Sequence, residues 1–205
     1  MQAVDFIFSV LILIMSVVVH EVSHGYVAYS LGDPTAKHEG RLTLNPLKHL
    51  DPFGSVLLPV ITYLLGGFIF GWAKPVPYNP YNLKNQRWGS ALVAAAGPGS
   101  NIAVALVFGL ILRFAFWPAS PAFTQALSLI VFINLLLAFF NLIPIPPLDG
   151  SKIFFTLIRR RWPEIEYFFE KWGLILLLFF IFFFFRLIFP LVLWAFHFIT
   201  GLALF

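Results

Sequence analysis

Val17-Val18-Val19-His20-Glu21-Val22-Ser23-His24-Gly25-Tyr26 sets three ionisable side chains inside an otherwise apolar run, in the pattern H-E-x-x-H. On a helix, His20 and His24 stand four residues apart, one turn above the other on a single face, so both imidazoles can reach one metal ion. Glu21 falls beside that face. The position suits a general base that takes a proton from a nearby water without occupying a coordination position itself.

A five-residue pattern also arises by chance, and a histidine near a helix end is usually structural. Burial weighs against that reading. Each ionisable group at membrane depth costs roughly 2.5–3.5 kcal/mol on insertion scales, so three within five residues need a compensating partner, and a bound cation supplies one.

That this depth is a membrane follows from composition. The 205 residues are 60% hydrophobic and 11% charged, with a mean hydropathy of +0.90, whereas soluble domains carry about 25% charged residues. No soluble stretch is long enough for a separate domain, so residues 1–205 are expected to form one membrane-embedded domain. Its core would span about 4–160, followed by hydrophobic segments at about 171–205. The net charge of +4 does not point to nucleic acid, because no basic cluster interleaved with exposed aromatics occurs. Cysteine is absent, which leaves His, Asp and Glu as the strong metal ligands. The N-terminal apolar run lacks a positive flank, the first basic residue being Lys37, so it reads as a retained helix and not a cleaved signal.

Outward from the motif, the first helix is expected from about Val4 to Leu31, stopped by Gly32-Asp33-Pro34. With Phe6 at one membrane face, His20 lies about 21 Å further on, leaving roughly 10 Å of a ~30 Å core. Residues 33–52 are polar and turn-rich, with Arg41-Leu42-Thr43-Leu44 reading as a short strand. His38 and His49 fall here and read as loop histidines. Gly54 to Trp72 is apolar but carries Pro59, Gly66, Gly67 and Gly71, so it either spans or dips in and returns. Lys74-Pro75-Val76-Pro77 has edge-strand composition. Further spans are expected over about Ser90–Phe116 and Ala122–Ile143, the second carrying Asn134 and Asn141. Past it, Pro144-Ile145-Pro146-Pro147 breaks the chain just before Asp149. Asp149 is either the third ligand of a two-histidine site or the N-cap of a short helix from Ser151 to Arg160. The fold class is therefore an all-α polytopic membrane protein: a helical bundle with a broken helix at the metal site and a small membrane-associated β element.

Three stretches together carry a family signature: His20-Glu21-x-x-His24, Ala96-Gly97-Pro98-x-x-Asn101, and Asn141-Leu142-Ile143-Pro144-x-Pro146-x-Leu148-Asp149-Gly150. Over about residues 15 to 157 the chain resembles the site-2 proteases, zinc metalloproteases that cut within membranes. Gly40-Arg41-Leu42-Thr43-Leu44-Asn45-Pro46 with Asp51-Pro52-Phe53-Gly54 is similar to their compact prokaryotic branch. The resemblance implies one Zn2+ per chain on His20, His24 and Asp149, with Glu21 as catalytic base and Asn141 holding the substrate carbonyl or its oxyanion. It also implies transmembrane protein or peptide substrates and a multi-pass location in a prokaryotic cytoplasmic membrane. The chain leaves no room for PDZ or CBS domains, so regulation is expected from partner proteins.

A helical substrate hides its carbonyls and must unwind before cleavage. The Lys74 to Pro77 edge, through Lys74 and Val76, is expected to hold the extended form by strand addition. The rival class is a divalent-metal transporter or receptor using the same ligands, but neither has any need of the adjacent Glu21. If Gly54 to Trp72 re-enters, every Lys and Arg except Arg113 and Arg186 is cytoplasmic. The positive-inside rule favours that arrangement, so a re-entrant segment, an external N-terminus and a site nearer the cytoplasm are expected.

Overall fold

The computed structural model describes residues 2–57, 61, 64, 73–114, 120–158 and 162–202. The first three long helices start within two residues of where the apolar runs predict, whereas the tail helix starts at Pro163, ahead of the segment expected from about 171. Helix α1 covers Gln2–Ser30, the short α2 Thr35–His38, α3 Gly89–Phe114, and α4 Pro121–Asn141. Helix α5 covers Asp149–Ile158, α6 Pro163–Phe184 and α7 Ile188–Thr200. Among the described residues, four stretches are long and apolar enough to cross a membrane: Ile7–Ser30, Gly89–Phe114, Pro121–Asn141 and Pro163–Thr200. The protein is a multi-pass membrane protein.

Local chemistry sets the helix ends. Helix α4 begins with Ser120 as N-cap, its hydroxyl accepting from the Phe123 amide, and Pro121 in the first turn. It stops at Asn141 because Pro144 cannot continue a hydrogen-bonded helix. The Phe-rich tail breaks at a single 3-10 turn over Phe185–Leu187, and Pro190 sits in the first turn of α7, where its missing N–H costs nothing.

Helix α3 is the centre of the bundle, packing against α1, α4, α5 and α7. Ala91, Ala94, Pro98, Asn101 and Ala105 recur at helical spacing and are all buried, giving α3 a face of small residues on which neighbouring backbones approach closely. One apolar core joins Ala105 of α3, Val131 and Leu135 of α4, and Val192, Phe196 and Ile199 of α7. A second ties Ala28 at the end of α1 to Leu83 and Val93. Helix α6 contributes little to either. Phe182 and Phe183 are 77% and 69% exposed, as side chains that face lipid must be.

The expected β element is a correction: among the described residues there is no strand. Arg41 to Leu44 turns instead of extending beside a partner, and the Thr43 carbonyl is taken by the His49 ring at 2.8 Å. The Lys74 to Pro77 segment is held by side chains and loops in place of a second strand. The Arg41 guanidinium donates to the carbonyls of Lys74 (2.8 Å) and Pro75 (3.2 Å), and the Lys74 amide donates to the His49 carbonyl (2.8 Å). Sequence composition reports that a segment is extended, not who pairs with it.

The question of whether Gly54 to Trp72 crosses falls mostly outside the described residues. Its flanks are described, however. His49 and Lys74 are hydrogen-bonded to each other, and Lys84 donates to the Leu31 carbonyl at the end of α1 (2.8 Å). The loops on either side of that stretch therefore meet at one end of α1. Asp33 fastens them together, accepting from the Asn79 amide at 2.7 Å and the Asn82 side chain at 2.8 Å.

Candidate metal centre

Helical spacing alone brings His20 and His24 to one face of α1, and their rings meet edge to face with centroids 4.7 Å apart. The third member arrives from far along the chain. Asp149 opens α5 after the proline-rich break, and its Oδ2 lies 3.1 Å from Nε2 of His20 and 3.2 Å from Nε2 of His24. Asp149 is thus placed beside both histidines, as a third ligand would have to be. Gly150 is what permits the approach: a Cβ there would run into the backbone of Leu142 and Ile143 at the end of α4.

Three features fit this cluster to a metal ion. The spacing is the first: a tetrahedral ion bound at about 2.0–2.1 Å holds its ligand atoms about 3.3 Å apart, close to the separations from Asp149. The second is an orphaned atom. Asp149 Oδ2 is completely buried and accepts no hydrogen bond of acceptable geometry, although two ring nitrogens stand beside it. The third is the fixed far side of each ring. Nδ1 of His20 lies 2.6 Å from Asn101 Oδ1, and Nδ1 of His24 lies 2.7 Å from the Val93 carbonyl. Both partners are acceptors, so both Nδ1 atoms carry the proton. In the neutral rings both Nε2 lone pairs then face Asp149, the arrangement typical of metal-binding histidines.

Gly97 keeps the space open. A Cβ at this position would sit 2.5 Å from both Nε2 atoms, crowding the two histidine nitrogens that face Asp149. In the sequence Gly97 appears as part of the signature Ala96-Gly97-Pro98-x-x-Asn101, with no role attached to it.

Glu21 stands beside the histidine face, as its position in the motif predicts, and its Oε2 accepts the Val76 amide at 2.8 Å. Val76 is buried, Lys74 is exposed, and both amides already donate within the protein. Asn141 lines the same cavity and donates from Nδ2 to the Leu137 carbonyl at 3.0 Å, leaving its second N–H. The cavity also touches Tyr78, Pro147 and Lys152, and its volume is about 150 Å³. That is too little for a helix about 10–12 Å across.

His38 and His49 stay apart from the cluster. His38 is exposed, and His49 is buried under the Lys74 segment, bonded to Thr43. Asn101 and Asn134 were not singled out as site residues by sequence, yet both are fully buried beside it. The available signal was an amide side chain deep in an apolar span, which is costly unless used.

Peptidase family M50 matches residues 8–126 and 117–184. Among curated proteins, three relatives share the printed name "Putative zinc metalloprotease". YwhC of Bacillus subtilis is 46% identical over 156 residues, covering 73% of this chain and 68% of the relative. Rip2 of Mycolicibacterium smegmatis is 32% identical over 188 residues, covering 90% and 71%. MJ0611 of Methanocaldococcus jannaschii is 32% identical over 157 residues, covering 71% and 72%. No solved structure matches the chain. With the family matched over most of its length, and with two histidines of an apolar helix meeting one carboxylate, the chain belongs to peptidase family M50, the site-2 protease family of zinc metalloproteases.

Proposed function

We propose that the protein hydrolyses peptide bonds of transmembrane substrates within a prokaryotic cytoplasmic membrane, as a single catalytic domain using one zinc ion. The observation that carries this reading is the convergence of His20, His24 and Asp149 within one hydrogen-bond length, with Glu21 lining the same cavity. Those three residues would hold the ion. When bound, zinc supplies Lewis acidity, making water acidic enough to lose a proton near neutral pH and polarising the scissile carbonyl.

The chain's own residues do the rest. Glu21 accepts a proton from the attacking water as its oxygen bonds to the carbonyl carbon, then delivers it to the amide nitrogen as the C–N bond breaks. The free N–H of Asn141 donates to the oxygen that becomes negative. The Val76 amide fixes the Glu21 carboxylate at the cavity wall.

A cavity of about 150 Å³ accepts an unwound peptide segment and not a helix. Substrate therefore enters extended, along Lys74 to Val76. Pairing with the Lys74 and Val76 amides requires displacing the His49 carbonyl from the first and Glu21 from the second, so entry and release of the base are one event. A transporter or receptor would need no such base, and Glu21 argues for hydrolysis.

The test is a comparison of membrane proteomes from cells carrying wild-type protein and Glu21→Gln. Membrane proteins that accumulate uncut with Glu21→Gln are the substrates. Identical membrane proteomes, with the protein expressed in both, would overturn the proposal.

A further inference from the structure

Behind the metal centre, on the side away from the cavity, lies a run of buried amides for which peptide chemistry has no direct use. The His20 ring donates from Nδ1 to Asn101 Oδ1 at 2.6 Å. Asn101 Nδ2 donates to Asn134 Oδ1 at 2.8 Å and to the Ser16 carbonyl at 3.3 Å. Asn134 Nδ2 donates in turn to the Ser16 hydroxyl and the Ile130 carbonyl, both at 2.9 Å. Asn101 and Asn134 are 0% exposed and Ser16 6%. Each amide has one orientation open to it, because reversing either would set oxygen against carbonyl oxygen.

We infer that Asn101 and Asn134 form a positioning relay that holds His20 in its Nδ1–H tautomer, with Nε2 presented to the metal. The inference rests on His20 being a metal ligand as proposed above. Its force comes from direction: Ile130 is a backbone acceptor that cannot donate, so it fixes Asn134. Asn134 then fixes Asn101, and Asn101 can only accept from His20. Without the relay, a neutral imidazole in an apolar span can carry its proton on Nε2, the nitrogen beside Asp149, where it blocks coordination. The relay also joins three spans, since Ser16 and His20 belong to α1, Asn101 to α3 and Asn134 to α4. Asn134 touches no ligand atom. It is a positioning residue, acting only through Asn101.

The experiment has two readouts on the full-length protein in detergent. In zinc-free wild type, with histidine ring nitrogens labelled with 15N and the buffer alkaline enough for neutral rings, chemical shifts report which nitrogen of His20 is protonated. A proton on Nδ1 is expected. A proton on Nε2 would overturn the inference without any variant and without bearing on whether zinc binds. The second readout is zinc affinity by competition with a chelator. Asn134→Leu should weaken it roughly 10- to 100-fold, the usual effect of removing a partner behind a metal ligand, and move the His20 proton. Asn134→Asp, held neutral by burial in an apolar span, keeps an acceptor for Asn101 and an O–H donor toward the Ile130 carbonyl, and should restore affinity to within a few-fold of wild type. Wild-type affinity in folded Asn134→Leu, or equal loss in both variants with the His20 tautomer unchanged, would reduce Asn134 to packing. Wild type that binds no zinc would instead refute the proposed function.

Discussion

Replacing Gly97 by alanine introduces one methyl group against the ligand nitrogens of the two candidate histidines. Built on the α3 backbone, its Cβ would lie 2.5 Å from Nε2 of His20, from Nε2 of His24 and from Cε1 of His20. Ordinary contact needs about 3.5 Å, so the rings or the helix must give by about 1 Å. Metal sites tolerate displacements of about 0.2 Å from bonds of about 2.0–2.1 Å. The required shift is roughly five times that tolerance. Since loss of a mere supporting partner costs 10- to 100-fold in affinity, Gly97→Ala should lose at least about 10²-fold, roughly 2.7 kcal/mol. The assay is zinc competition with a chelator, run beside Gly99→Ala as control, since a Cβ at Gly99 meets nothing within 4 Å. Wild-type zinc affinity in Gly97→Ala would place the metal elsewhere and refute the reasoning.

Other expectations follow from the same geometry. Asn141→Ala should lower kcat by roughly 10²-fold or more with zinc retained, the range for losing one oxyanion donor, whereas unchanged kcat would remove Asn141 from the reaction. Single cysteines at Lys48 and Lys84 should both be shielded from an impermeant thiol reagent in intact cells while one at Gln2 is labelled; labelling at Lys84 but not Lys48 would contradict loops that meet at one end of α1. Burial pushes the Asp33 carboxyl up, but hydrogen bonds from Thr35, Asn82 and Asn79 outweigh it and hold the folded pKa below 3.8. Stability from Asp33 is therefore complete above the unfolded pKa and is lost as pH falls through the lower folded value. Thermal melts of wild type should decline as pH falls below about 4, more steeply than those of Asp33→Asn, and parallel slopes would exclude Asp33 as the cause.

What the sequence disclosed and what it hid divide along physical lines. His20, Glu21 and His24 were legible because helical periodicity places them without any knowledge of packing. Asp149 was legible as a carboxylate after a proline break, but its meeting with histidines more than 120 positions earlier needed α3 and α5 in place. Gly97 and Asn134 escaped for opposite reasons. An absent side chain announces nothing about the space it leaves, and one asparagine among apolar residues does not name its partner. The misplaced β element has a related cause: Pro75 and Pro77 keep the backbone extended, and only the fold decides that Arg41, His49 and Glu21 take its polar groups.

The central claim is that His20, His24 and Asp149 hold a zinc ion which Glu21 puts to use. It is tested most directly by measuring zinc per chain and cleavage of a transmembrane peptide together, on purified wild type, Glu21→Gln and Asp149→Ala. The expected result is about one zinc per chain with cleavage in wild type, about one zinc without cleavage in Glu21→Gln, and loss of both in Asp149→Ala. Cleavage by Glu21→Gln at the wild-type rate, or full zinc occupancy in Asp149→Ala, would contradict it.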